Sequence, residues 1–321
     1  MQDLGGVKFL TPIINRLDQE NIEIFIHPIS KDFFSKNSSL DFYDYEVSSE
    51  SARSFWRRKV KGYSHLITTT SSLHLDMSNA TLIETAKEEG IACLSFLDHW
   101  KGFDRFFNEE NQPNYLSDWL GVIDDESIQR LSSNGIKPKH IKSVGHPWID
   151  QLLALKGDIK NKQSEKALII SQPDPSSNFD SIFLREETLN SLMKLIEFLS
   201  RKGWSISYRA HPKERNPLDI DIDLDNSDSI DVFEKYDLFI GYDSMMLLEA
   251  SSFGKIVLSC YGDINENISD QMIPFKYSKS FDEFMIRYDE AAMDADIAKN
   301  YNRFRGSTER AMIFVKEFLN S

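Results

Sequence analysis

The amino-acid sequence predicts an α/β protein with two domains, each built around a doubly wound parallel sheet. Short apolar runs typical of strands alternate with longer segments whose apolar residues recur at helical spacing. This alternation continues to about residue 154, stops in a polar, lysine-rich stretch, and starts again after residue 166. A chain of 321 residues also fits two domains.

The first domain is predicted to span residues 1–154 and to open on a helix. Apolar residues recur at helical spacing at Val7, Leu10, Ile13, Ile14 and Leu17. The strands predicted after it are IEIFIHP, HLITTT, IACLSFL, WLGVID and IKSVG, and the helices between them are SSESARSFWRRKV, SNATLIETAKEEG and DESIQRLSSNG. Strands that alternate with helices in this way form a parallel sheet.

The second domain is predicted to span residues 167–321, after a linker at residues 155–166. Its predicted strands are KALIIS, WSISYR, DLFIGY and KIVLSCY, with helices LREETLNSLMKLIEFLSRKG, DVFEKY and DSMMLLEASSFG between them and further helices in the tail. We find no internal sequence repeat, so the two halves share an architecture rather than a sequence.

Composition and charge exclude several classes of function. The chain has 51 acidic and 37 basic residues and a formal net charge of −14, which argues against general binding of nucleic acids. It contains no apolar stretch long enough for a membrane-spanning helix and no visible signal peptide, so we expect a cytoplasmic protein. Cys93 and Cys260 lie in apolar runs, which indicates buried thiols rather than a disulfide or a metal site.

Polar residues follow two of the predicted strands in the second domain. The stretch SYRAHPKE places Arg209, His211 and Lys213 around the end of one strand, and Asp243 and Ser244 follow another. Ligands of doubly wound sheets bind beyond the carboxyl ends of the strands, at helix N-termini, so these residues are candidates for an anion site. The alternatives are a solvated polar loop and a plain helix cap at Ser244.

Several of these segments resemble one superfamily of proteins. DLFIGYDSMMLLEASSFGKIVLS resembles the nucleotide-binding segment of GT-B glycosyltransferases and of the related nucleotide-sugar 2-epimerases. YRAHPKE is similar to the His-Pro motif of bacterial sialyltransferases, polysialyltransferases and teichoic-acid glycerophosphotransferases. VGHPWIDQLL and LSFLDHWKGFDRF resemble segments of the N-terminal domain in the same superfamily. The resemblance covers most of the chain as architecture, but only these short motifs as sequence.

The resemblance implies a GT-B protein that binds a nucleotide-activated sugar in a cleft between its domains. The residues it places around the donor nucleotide and phosphate are Arg209, His211, Lys213, Asp243, Ser244, Glu249, Gly5 and Gly6, and His146 and Gln172 are further candidates for the cleft. Glu249 would accept ribose hydroxyls, or else be a solvated or capping carboxylate. Gly5 and Gly6 would let the backbone approach the substrate, or else form a flexible terminus.

The activity implied by the resemblance is glycosyl transfer to a surface polysaccharide or another glycan. A CMP- or CDP-linked donor is favoured over a UDP-linked one, the acceptor is a glycan or a lipid-linked precursor, and neither a metal nor another cofactor is expected. Asp98 and His99, at the end of a predicted strand, are the candidate catalytic base and its partner. The alternative there is a packed histidine beside a capping aspartate.

Two other functions stay open from the residues alone. A nucleotide-sugar 2-epimerase would use the same fold, and a module that has lost catalysis would only bind. The latter is favoured by the start of the chain: a GT-B domain begins with a strand that ends at the glycine loop, but only Met1–Leu4 precede Gly5. The first strand of the N-terminal domain is therefore expected to be missing, which would expose sheet edges.

An acidic stretch and the basic tail each suggest a further reading. Asp223, Asp225, Ser227, Asp231 and Glu234 fall at ligand positions of an EF-hand loop, but Asp228 stands where glycine is needed and flanking helices are not predicted. We therefore favour a solvated connection or an acidic edge strand over a calcium site.

The tail of the chain contains arginines with aromatic neighbours. We expect its last helix to return to the first domain, and favour this over peripheral contact with the inner face of a membrane.

Overall fold

The computed structural model describes most of the chain, in two compact units. The described residues are 4–18, 21–46, 49–71, 77–100, 103–108, 110–155, 165–174, 180–216, 218–227, 230–242, 244–260, 277–278, 285 and 301–321. Unit 1 comprises Met1–Gln151 and Phe304–Ser321, and unit 2 comprises Leu152–Arg303. The last helix of the chain thus lies in unit 1. Of the predicted linker, residues 156–164 lie outside the described residues.

The first part of the chain alternates helices and strands, as its sequence predicts. In chain order the elements are α1 (Leu4–Ile14), β1 (Phe25–Ile26), α2 (Pro28–Asn37), β2 (Tyr43–Asp44), α3 (Ser49–Lys59), β3 (His65–Thr69), α4 (Ser78–Glu88), β4 (Ala92–Phe96), β5 (Trp119–Val122), α5 (Asp125–Ser133), β6 (His140–Ser143) and α6 (Pro147–Leu155). A short 3₁₀ helix, Phe103–Phe106, lies between β4 and β5.

Unit 2 repeats the alternation. Its elements are β7 (Lys166–Ile170), β8 (Pro173–Asp174), β9 (Asp180–Ser181), α7 (Glu186–Arg201), β10 (Ser205–Arg209), β11 (Asp223–Leu224), α8 (Asp231–Lys235), β12 (Leu238–Gly241), α9 (Met245–Ser252), β13 (Ile256–Cys260) and β14 (Tyr277–Ser278). The final helix, α10 (Ser307–Leu319), returns to unit 1.

Unit 1 holds a four-stranded parallel sheet in the order β3-β4-β5-β6, and a separate parallel pair, β1-β2. Two of the hydrophobic clusters that pack against these strands are named here. The first, the α1 cluster, packs α1, α2 and α10 with Ile24 and Ile26. The second, the α3 cluster, packs α3 and α4 with Tyr45. The described chain enters α1 directly at Leu4, with the glycine pair inside the helix rather than in a flexible terminus.

Unit 2 holds a six-stranded parallel sheet in the order β11-β10-β7-β12-β13-β14. From β7 the chain moves outward to β10 and β11, and then returns to β12 on the other side of β7. The order therefore reverses between β7 and β12, which is the topological switch point where doubly wound sheets bind ligands. From their polar ends we expected the strands now labelled β10 and β12 to be neighbours in the sheet. The structure corrects this expectation, because β7 lies between them.

The two α/β units confirm the predicted fold class, with two corrections of detail. The acidic stretch does form an edge strand, β11. Asp225, just beyond it, is buried rather than solvated, and its carboxylate is paired with neighbouring cations. The predicted strand in IEIFIHP shrinks to Phe25–Ile26, because β2, with which it pairs, contributes only two residues.

Cys93 is a buried free thiol, as expected, whereas the side chain of Cys260 lies outside the described residues. Among the described helices, none has the length and apolar character needed to cross a bilayer.

The segment VGHPWID anchors the last helix in unit 1. The carboxylate of Asp150 accepts hydrogen bonds from the backbone N–H of Gly306, at 2.8 Å, and of Thr308, at 3.0 Å. These are donors at the N-terminus of α10 that have no partner within the helix, so Asp150 caps it. Gly145 has a φ of +83°, and a Cβ there would lie 2.0 Å from Ser307 Oγ. The close approach of α10 therefore requires glycine at this position.

Candidate functional site

The candidate site in unit 2 is the carboxyl edge of its sheet around the switch point. Ser171 and Gln172 follow β7, and Ser244 opens α9 after β12. The ends of β7 and β12 approach closely, because a Cβ on Gly241 would lie 3.0 Å from the carbonyl oxygen of Ile170. This edge therefore combines strand ends, a helix N-terminus and polar side chains.

His211 lies in the turn that follows β10, on the other side of β7. Its Nδ1 accepts a hydrogen bond from the backbone N–H of Lys213 at 3.1 Å, and its carbonyl oxygen accepts one from the N–H of Glu214 at 3.0 Å. Because Nδ1 is the acceptor, the neutral imidazole carries its proton on Nε2. The turn thus fixes a histidine whose Nε2 can donate to an anion. The side chain of Lys213 is half-buried in the same turn.

Arg209, which was also predicted to hold a phosphate, forms an ion pair with a buried carboxylate. Its Nη1 lies 2.9 Å from the buried carboxylate of Asp225, which also accepts from Lys235 at 2.8 Å and from Tyr236 at 3.1 Å. Burial alone would raise the pKa of Asp225, but these hydrogen bonds and the charge of Arg209 outweigh it and lower that pKa. The guanidinium is therefore held in a structural ion pair that joins β10, β11 and α8.

Helix α9 presents its N-terminus at the switch point. The hydroxyl of Ser244 accepts a hydrogen bond from the N–H of Met246 at 3.3 Å, so the predicted N-cap is present. The remaining N–H groups of the first turn and the helix dipole favour an anion there. Glu249 is only 1% exposed, which excludes a solvated carboxylate at that position. Asp243 lies outside the described residues.

A chain of hydroxyl groups under the His211 turn was not found from the sequence. Ser171 Oγ lies 2.8 Å from Ser181 Oγ, which lies 3.2 Å from the hydroxyl of Tyr208, and that hydroxyl lies 3.5 Å from Glu214 Oε2. Burial raises the pKa of Glu214 above its ordinary range. Their positions in the sequence could have indicated Ser171 and Glu214 as candidates, since both residues follow predicted strands.

Glu214→Gln is expected to raise the melting temperature of the protein at neutral pH. The folded-state pKa of Glu214 is higher than the unfolded one, so its contribution to stability is present below the unfolded pKa and is lost as pH rises through the folded value. Removing the carboxylate removes that loss, and the gain should disappear below about pH 4. Melting curves between about pH 4 and pH 8 measure it. The exposed Glu234→Gln is the control, and an equal response of the two variants would contradict the assignment.

In unit 1, the N-terminus of α1 lies against the carboxyl ends of β3 and β4. A Cβ on Gly5 would lie 3.0 Å from Asp98 Oδ2, and a Cβ on Gly6 would lie 2.2 Å from Thr69 Oγ1. Glycine at residue 6 is therefore required by the close approach of the helix to β3. The sequence-predicted residues Gly5, Gly6 and Asp98 are brought together here.

Asp98 is mostly buried and lies beside a cation. Arg105, from the 3₁₀ helix, places Nη1 3.6 Å from Asp98 Oδ1 and donates from the same nitrogen to Thr70 Oγ1 at 3.0 Å. A carboxylate at this edge, oriented by a guanidinium, can accept a proton from a substrate hydroxyl. Arg105 was not found from the sequence, because it is brought back to the strand end only by the loop after β4.

His146 is buried in the core of unit 1. Its ring packs edge-on against Phe9, with centroids 4.9 Å apart, and its Nδ1 accepts from the N–H of Ile149 at 3.4 Å. Burial, with a smaller contribution from the charge of His99, lowers the pKa of His146 to about 3. The ring is therefore neutral near pH 7 and packed in the core of unit 1, and the predicted place of His146 beside a ligand stays a prediction. His99 is half-buried and packs edge-on to Trp100.

Comparison with known proteins identifies the fold. No model of a protein family matches the chain, and no curated protein matches it. Among solved structures, the UDP-GlcNAc 2-epimerase of Methanocaldococcus jannaschii in complex with UDP-GlcNAc and UDP is similar at a TM-score of 0.71 and 13% identity, covering 99% of this chain and 98% of that one. The UDP-GlcNAc 2-epimerase of Neisseria meningitidis bound to UDP-GlcNAc gives 0.71 and 14%, covering 100% and 98%. The wall teichoic acid polymerase TagF gives 0.54 and 13%, covering 98% and 85%. The chain has the GT-B-like fold that these structures share.

Proposed function

We propose that this protein binds a nucleotide-activated sugar at the carboxyl edge of unit 2 and transfers the sugar to an acceptor hydroxyl. The observation that carries the proposal is the convergence of two anion-binding features at one sheet edge. Helix α9, capped by Ser244, starts at the switch point, and His211 offers a proton on Nε2 two strands away. A diphosphate is the ligand that both features suit.

The nucleotide of the donor is proposed to be a pyrimidine nucleotide. Two of the similar structures are complexes with UDP-GlcNAc, and one of them also with UDP, which supports a uridine nucleotide. The His-Pro motif around His211 supports the cytidine nucleotides, CDP or CMP. The phosphate-binding features are common to uridine and cytidine nucleotides and do not distinguish them. Binding experiments that compare the two kinds of nucleotide can.

The proton-transfer step is assigned to Asp98 in unit 1. Transfer of a sugar with inversion requires a base that accepts the proton of the acceptor hydroxyl as the bond to the leaving phosphate breaks. The carboxylate of Asp98 lies at the carboxyl edge of its sheet and is oriented by Arg105. Asp98→Asn should therefore abolish turnover and leave nucleotide affinity unchanged. A variant that keeps full turnover would exclude this role.

Epimerisation at C2 of the sugar is the second candidate function. It is favoured by the extent of the likeness, since two 2-epimerases match at a TM-score of 0.71 over 98% of their own chains, against 0.54 over 85% for TagF. Incubation with a nucleotide sugar in the absence of an acceptor separates the two. An epimerase converts the donor to its 2-epimer, whereas a transferase returns it unchanged.

A thermal-shift panel with CMP, CDP, UDP, GDP and dTDP is the first test of the binding site. A ligand present at about 100 times its dissociation constant stabilises the folded protein by about 2.7 kcal/mol, so a bound nucleotide should raise the melting temperature measurably. We expect a shift with UDP or CDP and a smaller one with GDP. The absence of a shift with every nucleotide would exclude a nucleotide-binding edge in unit 2.

A further inference from the structure

The loop after β4, which carries Asp98 and His99, is joined to α5 through Trp100. The indole Nε1–H of Trp100 donates to Asp124 Oδ2 at 2.7 Å, and the carbonyl oxygen of the same residue accepts from Arg130 Nη1 at 3.2 Å. Trp100 is only 3% exposed, so both contacts are shielded from water. The proposed function assigns no role to Trp100 or to α5.

Asp124 connects two elements through its two carboxylate oxygens. Oδ1 accepts from the backbone N–H of Ser127 at 2.9 Å and from its hydroxyl at 2.7 Å, which caps the N-terminus of α5. Oδ2 accepts from the indole of Trp100. Asp124 lies two residues after β5 and Asp98 two residues after β4, and these strands are neighbours in the sheet. The capped end of α5 is therefore a fixed point one strand away from the candidate base.

Arg130 holds the same loop at a second place. Its guanidinium carbon lies 5.1 Å from the centre of the Phe103 ring, in a cation–π contact. Phe103 opens the 3₁₀ helix that brings Arg105 to Asp98. Through the carbonyl of Trp100, Arg130 holds the chain two residues after Asp98. Both members of the Asp98–Arg105 pair are thus tied to α5.

The ring of Trp100 is packed as well as hydrogen-bonded. It lies edge-on to the ring of His99, with centroids 6.0 Å apart, and to that of Phe304, with centroids 6.3 Å apart. Phe304 is 1% exposed and belongs to unit 1. A buried indole that is bonded at its one polar atom and packed on its ring fixes the backbone that carries it.

We propose that Asp124 and Arg130 are positioning residues, which hold the loop so that the Asp98 carboxylate meets the substrate proton. The role depends on the proposed function, in which Asp98 is the base. A base acts only within hydrogen-bonding reach of the proton it accepts, and a misplacement of about 1 Å costs about 100-fold in rate. Since the nucleotide is bound by unit 2 in the proposed function, the effect should fall on kcat rather than on nucleotide affinity.

Asp124→Ser separates the indole contact from the cap. A serine hydroxyl caps a helix about as well as a carboxylate does, but its single short side-chain oxygen does not also reach the indole of Trp100. Trp100→Phe removes the same hydrogen bond from the other side. The matched control is Asp125→Ser, because it makes the same substitution at the next position of α5, where the side chain is exposed. Each variant is assayed as the full chain, well below its melting temperature.

We expect kcat to fall by about 10- to 100-fold in Asp124→Ser and in Trp100→Phe, with KM for the nucleotide sugar within about twofold of the wild-type value. The double variant should be no slower than the slower single variant, because both changes remove one and the same hydrogen bond. Arg130→Met, which keeps the aliphatic stem and loses the guanidinium, should also lower kcat. Asp125→Ser should keep the wild-type kcat.

The indole N–H resonance of Trp100 gives a second readout, which needs no turnover. The chain has five tryptophans, and the resonance that is missing in Trp100→Phe identifies this one. Because the indole proton loses its acceptor in Asp124→Ser, its resonance should move there. It should stay in place in Asp125→Ser.

A lowered kcat at unchanged KM, together with a moved indole resonance, supports the positioning role. Wild-type kcat in Asp124→Ser overturns it if Asp98→Asn is inactive, because the base then works without this support. An unmoved resonance in Asp124→Ser, or an equal fall of kcat in Asp125→Ser, overturns it too. Wild-type turnover in Asp98→Asn would instead exclude the base of the proposed function, and the positioning role with it.

Discussion

Replacing His211 by alanine is expected to weaken binding of the nucleotide by about 5- to 150-fold. The change removes the Nε2–H donor that the turn after β10 fixes in place, and a charge-assisted hydrogen bond of this kind contributes about 1–3 kcal/mol. Titration calorimetry with the nucleotide that gives the largest thermal shift measures the loss.

Two conservative variants separate the donor from the turn. In His211→Asn the amide oxygen replaces Nδ1 as acceptor for the Lys213 N–H, so the fold of the turn is kept while the Nε2 donor is lost. We expect it to bind as weakly as His211→Ala and to melt near the wild-type temperature. His211→Gln, whose amide nitrogen reaches the place of Nε2, should recover part of the affinity. Wild-type affinity in the asparagine variant would exclude His211 as a phosphate ligand.

Gly6→Ala is expected to destabilise the protein by about 1–3 kcal/mol, as overpacking does in a filled core. The added Cβ would lie 2.2 Å from Thr69 Oγ1 and 3.0 Å from Thr69 Cβ. A change of rotamer can move the hydroxyl but not Cβ, so α1 has to shift away from the end of β3. The free energy of unfolding, measured in urea, gives the size of the effect.

Gly5→Ala is the matched control, because it makes the same change one residue earlier. Its Cβ would meet only the end of the Asp98 side chain, at 3.0 Å, and alanine is favoured over glycine in a helix by about 1 kcal/mol. We expect little or no loss of stability. The double variant Gly6→Ala/Thr69→Ala should recover part of the loss, because it removes the hydroxyl and methyl contacts but keeps Thr69 Cβ, and this gives the coupling energy of the pair. A wild-type stability for Gly6→Ala would show that α1 is not held against β3 in solution.

Most of the fold could be predicted from local pattern. The alternation of apolar runs and amphipathic segments places α1, α4, α7, the four sheet strands of unit 1 and the four inner strands of the sheet in unit 2 close to where the structure has them. The predictions were weakest for β1, because a strand's length depends on the strand with which it pairs. Strand order could not be predicted, since crossover connections of similar length lead to either side of a sheet.

The candidate site could be predicted in part. The strand-end position of His211 and the N-cap at Ser244 followed from sequence, because both are properties of neighbouring residues. The ion pair of Arg209 could not be predicted, since its partner Asp225 is 16 residues away and meets it only where β11 pairs with β10. The binding roles remain predictions for His211, Lys213, Ser244, Glu249 and Gln172.

The sequence by itself determined the type of the elements and the class of the fold, because periodicity, caps and turn residues act over a few positions. Only the tertiary structure decided what lies beside what. It put β7 between β10 and β12, buried Asp225 and His146, and pressed Gly6 against Thr69. These features depend on contacts between residues far apart in the chain, whose energies come from burial, close packing and ion pairing rather than from local backbone preference.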